Sequence, residues 1–104
     1  MSLRPPGRPA PSGLPPSGMV ALDYEIAGEQ ASALGRAGRR VEESLAALSV
    51  CDGPTPVRDA LLREAAQAVW AYFVQREMIG FRRHDDAVRI YGIPGEVLAR
   101  LGAI

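Results

Sequence analysis

The chain has 104 residues, 47% of them apolar, and twelve acidic side chains balance twelve basic ones, so its formal net charge is zero. That length holds one domain, and the charge balance gives no electrostatic footprint for nucleic acid or an anionic membrane. A single cysteine excludes an internal disulfide framework, and no apolar run approaches the roughly 20 residues that span a bilayer.

Residues 1–18 are rich in Pro, Gly, Ser and Arg. Such a composition cannot bury enough surface to offset its own ordering entropy, so a disordered tail is expected there and a single helical domain over 19–104. The start MSLRPPGRPAP has no apolar stretch of the kind a secretory signal needs. Together with the lone Cys51, read as a small filler residue, this points to the cytoplasm.

From about Met19 to Ser49 the chain reads as a first long helix. Val20, Tyr24, Ala27, Ala31, Leu34, Gly38, Val41, Leu45 and Leu48 follow one another at alternating four- and three-residue steps, an apolar seam four heptads long. The middle of the seam is small: Ala27, Ala31, Gly35 and Gly38. Glycine inside a helix costs about 1 kcal/mol against alanine, so a second backbone is expected to come close there, under Trp70, Tyr72 and Phe73. Glu25, Glu29, Arg36, Arg39, Arg40 and Glu43 form the other, solvated face, with Arg39 and Glu43 spaced as a four-residue pair.

The turn-forming stretch at 50–54 is short enough to make the next helix an antiparallel neighbour, an αα-hairpin with arms roughly 35–45 Å long at about 1.5 Å per residue. Thr55 and Pro56 open that second helix and Gly80 closes it. Leu61, Leu62, Ala65, Ala66, Ala68, Val69, Tyr72 and Phe73 make one wide stripe, while Trp70, Val74 and Met78 point elsewhere. A helix apolar nearly all round needs more than one neighbour. Either the segment after Gly80 or a second subunit must cover the Trp70 row.

After Gly80 the spacing predicts a short helix over Asp85–Tyr91 ended by Gly92, then a last one opened by Pro94 and running to Leu101, before Gly102. Val88, Ile90, Ile93, Val97, Leu98 and Leu101 are the expected cover for Trp70, Val74 and Met78. The fold class is therefore all-α: a long antiparallel hairpin plus two short C-terminal helices, closing into a four-helix core on dimerisation.

The combination LDYEIAGEQASALGRAGRRVEESLAAL, YFVQRE and YGIPGEVLARLG resembles a family of short bacterial proteins known only as a domain of unknown function. The resemblance covers about Leu22 to Gly102 and leaves the proline-rich tail outside. It implies a small helical protein and brings no activity, cofactor or site residue.

Motifs for chemistry are sparse. His84-Asp85 invites comparison with metal-dependent phosphohydrolases, but His84 is the only histidine, and such sites need more. No metal and no cofactor are expected. Glu25 and Glu29 lack the Glu-x-x-His partners of a di-iron bundle. Arg76, Glu77, Arg82 and His84 form a candidate polar patch beside Tyr72 and Tyr91; the simpler reading is that Arg76 satisfies carbonyls at the helix end while Glu77 pairs locally. The segment 85–101 has the outline of a helix-turn-helix, yet its last helix offers only Glu96 and Arg100 to reach base edges.

The expected function is thus a non-enzymatic, homodimeric protein–protein interaction module with an unidentified protein partner. The candidate interface is Ala27, Ala31, Gly35, Gly38, Trp70, Val74 and Met78. A small DNA-binding regulator using 85–101 is the alternative.

Overall fold

The computed structural model describes residues 17–101, so residues 1–16 of the expected tail, and the closing Gly102, lie outside the described residues. The described secondary structure consists of helices α1 (Ser17–Ser49), α2 (Pro56–Met78), α3 (Asp85–Tyr91) and α4 (Gly95–Leu101), with no strand among the described residues. The fold is all-α. The chain divides into two units, Met1–Ala31 and Ser32–Ile104, and α1 runs from the first into the second.

In the first unit, the described part is the opening half of α1. Met19, Leu22, Tyr24 and Ile26 are all exposed there, Tyr24 to 75%. Ala27 and Ala31 are exposed as well.

The second unit holds the core. Ala37, Val41 and Leu48 of α1 join Leu62, Ala65, Ala66, Ala68, Val69 and Tyr72 of α2, Ala87 of α3, Ile93, and Val97 of α4 in one buried cluster. Leu34 and Leu45 pack against it. The heptad seam read from the sequence is therefore buried from Gly38 onward, and its opening half is not. Four of the core positions contributed by α2 and α3 are alanine, which fill the core at little side-chain entropy cost, and α4 lies close along α2.

Local chemistry fixes the ends of these helices. Thr55 adopts extended backbone angles, and its Oγ1 accepts the Arg58 N–H at 3.0 Å, while Pro56 occupies the first turn of α2. Gly80, at φ +106°, turns the chain back across the end of α2. Gly92, at φ +64°, ends α3, and the next N–H, of Ile93, reaches the Val88 carbonyl at 3.0 Å. That six-residue bond with its buried apolar follower is a Schellman closure. Pro94 does not begin α4 but caps it, its carbonyl accepting from Val97 and Leu98 N–H at 3.1 Å each.

One expectation fails. The C-terminal segment does not cover the Trp70 row: Trp70 is 51% exposed, Met78 61%, and Val74 half-buried. Ile90, assigned to that cover, is 74% exposed. The reason is angular. At about 100° per residue the buried positions of α2 fall within an arc of roughly 160°, which α1, α3 and α4 share. Trp70, Val74 and Met78 fall outside it, among exposed Arg63 and Gln67.

Candidate functional site

Arg76 is the one buried charged side chain among the described residues, 7% exposed in the last turn of α2. Its own carbonyl accepts the N–H groups of Ile79 and Phe81, at 3.2 and 3.0 Å, so the reversal at Gly80 carries residues 81–84 back over its side chain. The guanidinium meets three acceptors there. Nε donates to His84 Nδ1 at 3.1 Å, and one terminal nitrogen donates to the Arg83 carbonyl at 2.9 Å and to Asp86 Oδ1 at 3.0 Å. Phe81 lies 4.6 Å from the guanidinium carbon, a cation–π contact. Arg76 therefore serves the turn and α3, rather than the carbonyls at its own helix end as the sequence suggested.

His84 is fixed by the same geometry. An arginine nitrogen can only donate, so Nδ1 is the acceptor and the ring proton sits on Nε2. Nε2–H then donates to Glu77 Oε2 at 2.9 Å. The imidazole also stacks on Phe73, with ring centres 4.1 Å apart and planes 3° from parallel. Asp86 Oδ1 accepts a second bond, from the Ala87 N–H at 2.8 Å, which places its charge in the first turn of α3 where the helix dipole favours it. Next to it Arg83 pairs with Asp85 at 2.6 Å and holds that carboxyl below its ordinary range. Of the four patch residues, Arg76, Glu77 and His84 come together, and Arg82 stays exposed.

Two further contacts tie the bundle. Tyr91 of α3 meets Tyr72 of α2 edge to face, ring centres 5.2 Å apart. Its hydroxyl is pushed up to about 12, first by a hydrogen bond with Tyr72 and then by burial. Gly38 of α1 lies directly beneath: a Cβ there would stand 2.6 Å from the Tyr91 oxygen and 3.5 Å from a Tyr72 ring carbon. The second backbone expected over the small residues is not what Gly38 meets: its neighbours are the side chains of the two tyrosines, and neither a backbone nor Trp70 is among them. Gly35 is exposed, with the Arg39 side chain beside it. On the other side, Arg58 of α2 grips Glu96 of α4 with two bonds of 3.1 and 2.7 Å, and Arg100 approaches Asp59 at 3.8 Å.

Sequence reasoning missed one feature. A cleft of about 660 Å³ opens between the α1–α2 and α3–α4 connections, walled by Leu45, Leu48, Cys51, Arg58, Tyr91 and Pro94. No periodicity announces it, because its walls come from three separate stretches. Among the described residues, no group of three or more His, Cys, Asp or Glu side chains is placed to hold a metal ion.

The family model described as "Family of unknown function (DUF6665)" matches residues 1–104. The chain belongs to that family. The match includes the proline-rich start, which the resemblance drawn from Leu22 to Gly102 left out. No curated protein and no solved structure matches the chain. In this family member the Arg76 cluster joins α3 to the end of α2 through the bonds to His84, the Arg83 carbonyl and Asp86.

Proposed function

We propose that the protein is a non-enzymatic interaction module that works as a homodimer and offers the row Trp70, Val74 and Met78 to a protein partner. The observation that carries this reading is apolar surface left open beside a core that is already closed. Trp70 and Met78 remain more than half exposed on a helix whose opposite arc is fully buried. Burying such a side chain is worth roughly 1.5–3 kcal/mol, and aromatic residues with Met are enriched where proteins dock. Support for a non-enzymatic role comes from His84, whose two ring nitrogens are both engaged, and from Cys51, which has no histidine beside it. No helix among the described residues is long and apolar enough to cross a membrane. The lone thiol favours the cytoplasm as the working compartment.

The DNA-binding alternative has the outline of α3, the left-handed Gly92 and α4 in its favour. Against it, Glu96 and Arg100 already face Arg58 and Asp59, and Val97 is fully buried. Equilibrium sedimentation at micromolar concentration tests the leading reading, which expects a dimer; a monomer throughout overturns it. Capture of a partner from host lysate should then fail with Trp70→Ser/Met78→Ser, whose exposed positions leave the fold intact.

A further inference from the structure

The turn that buries Arg76 gathers further arginines around it. A cleft of about 550 Å³ opens there, walled by Arg76, by Phe81, Arg82 and Arg83 of the Gly80 reversal, and by Arg89 of α3. It holds four of the chain's twelve arginines, although the chain as a whole carries no net charge. Asp85 and Asp86 also line it, and each is already matched: Arg83 pairs with the first at 2.6 Å and Arg76 with the second at 3.0 Å. Arg82 and Arg89 are left over. Both are exposed, and no ion pair within 4.0 Å involves either among the described residues. The cleft therefore has two positive charges in excess, and gathering like charges in a concave wall is unfavourable until an anion enters. Phe81, 47% exposed, adds an apolar surface to the same wall.

We infer that this cleft binds a small aromatic phosphate monoester, its phosphoryl group held by Arg82 and Arg89 and its ring resting on Phe81. The charge argues for the phosphoryl group, because a monoester carries about −1.5 to −2 at neutral pH and so matches the excess, whereas a single carboxylate cancels only half of it. Guanidinium groups suit such a ligand, since their forked N–H donors meet two phosphoryl oxygens at once. The volume argues for a small molecule, as clefts of about 300–1,000 Å³ hold ligands of that class. Phe81 argues for the ring, giving an organic ester apolar contact that a bare phosphate ion has no use for. The site uses none of the Trp70 row and does not depend on the homodimer proposed above.

Calorimetric titration of the full chain at low ionic strength tests this, with phenyl phosphate as the probe and phenol and inorganic phosphate as its two halves. Phenyl phosphate should bind, inorganic phosphate more weakly, and phenol not measurably. Arg82→Gln/Arg89→Gln should weaken phenyl phosphate at least about tenfold, with helical circular dichroism unchanged because both side chains are exposed. Arg40→Gln/Arg63→Gln removes the same charge from exposed positions that line no part of the cleft, and should leave affinity within about twofold. Absence of phenyl phosphate binding at millimolar concentration, or equal losses in the two double variants, would overturn the site. Inorganic phosphate binding as tightly as phenyl phosphate would overturn the assignment to an aromatic ester.

Discussion

The two halves of α1 share one heptad spacing and meet different fates. From Gly38 to Leu48 the seam residues sit in or against the core beside α2 and α3; from Tyr24 to Ala31 the same spacing leaves Tyr24, Ala27 and Ala31 in solvent. Periodicity states that a face is apolar, not what covers it. Cover depends on residues elsewhere in the chain. In the second half these are Tyr72, Tyr91 and the alanines of α2.

Substitutions matched across the two halves should separate them most sharply at Val41 and Tyr24. Val41 is fully buried, so Val41→Asp introduces an unpaired charge into the core at a cost of about 4 kcal/mol or more. That is a large share of the roughly 5–15 kcal/mol typical of a small domain, and thermal melting should show loss of the cooperative transition. Tyr24→Asp, at a side chain 75% exposed, should leave the melting within about 0.5 kcal/mol of wild type. Equal damage at both positions would mean that the opening half is covered after all.

Arg76→Met comes next, because the closed half depends on its polar clasp as well as on packing. The substitution keeps much of the volume but leaves His84 Nδ1 and the Arg83 carbonyl without their donor, and Asp86 Oδ1 with the Ala87 N–H alone. Asp86 is half exposed and can turn to water, so a loss of about 2–3 kcal/mol is expected rather than the full penalty of a buried orphan charge. Denaturant unfolding checks it.

Much of the helical frame was legible in the sequence because its signals are local. Thr55-Pro56, Gly80, Asp85 and Gly92 mark boundaries through their own backbone chemistry, and the helices begin and end within a few residues of them. The Trp70 row misled for a physical reason: three apolar residues at four-residue steps describe a stripe equally well on the buried and the open side of a helix. The polar patch was partly legible, since Arg76, Glu77 and His84 were grouped correctly. Their roles were hidden because the bonds cross the reversal at Gly80, and the direction that turn gives the chain has no local sequence marker. The Tyr91–Gly38 contact joins residues 53 positions apart, beyond any spacing argument.

Glycine scanning of α1 sharpens the comparison at smaller amplitude. Gly38→Ala places a methyl group 2.6 Å from the Tyr91 oxygen, so the α3 ring must move, and overpacking of this kind costs about 1–3 kcal/mol. The gain in helix propensity, about 1 kcal/mol, offsets part of it. Gly28→Ala meets nothing within 4 Å and should keep the whole propensity gain. Opposite signs in thermal shift are the expected result, and two gains would remove the close approach from the account.

The smallest effect is a pH dependence confined to the closed unit. Hydrogen bonding to Arg58 holds the Glu96 carboxyl below its ordinary value of 4.5 in the folded chain. A depressed folded value means that the unfolded chain binds the proton more readily. The pair's contribution is therefore complete above pH 4.5, begins to fade as the pH falls past it, and is lost once the folded carboxyl is itself protonated. Glu96→Gln should flatten that acid limb of the stability profile while leaving its shape at neutral pH. Arg58→Gln should flatten it equally, and the double variant should add nothing to either single change, because one interaction underlies both. Additive losses would show that Arg58 and Glu96 act on α4 through separate partners, and the two bonds between them would then not be what holds α4 against the first turns of α2.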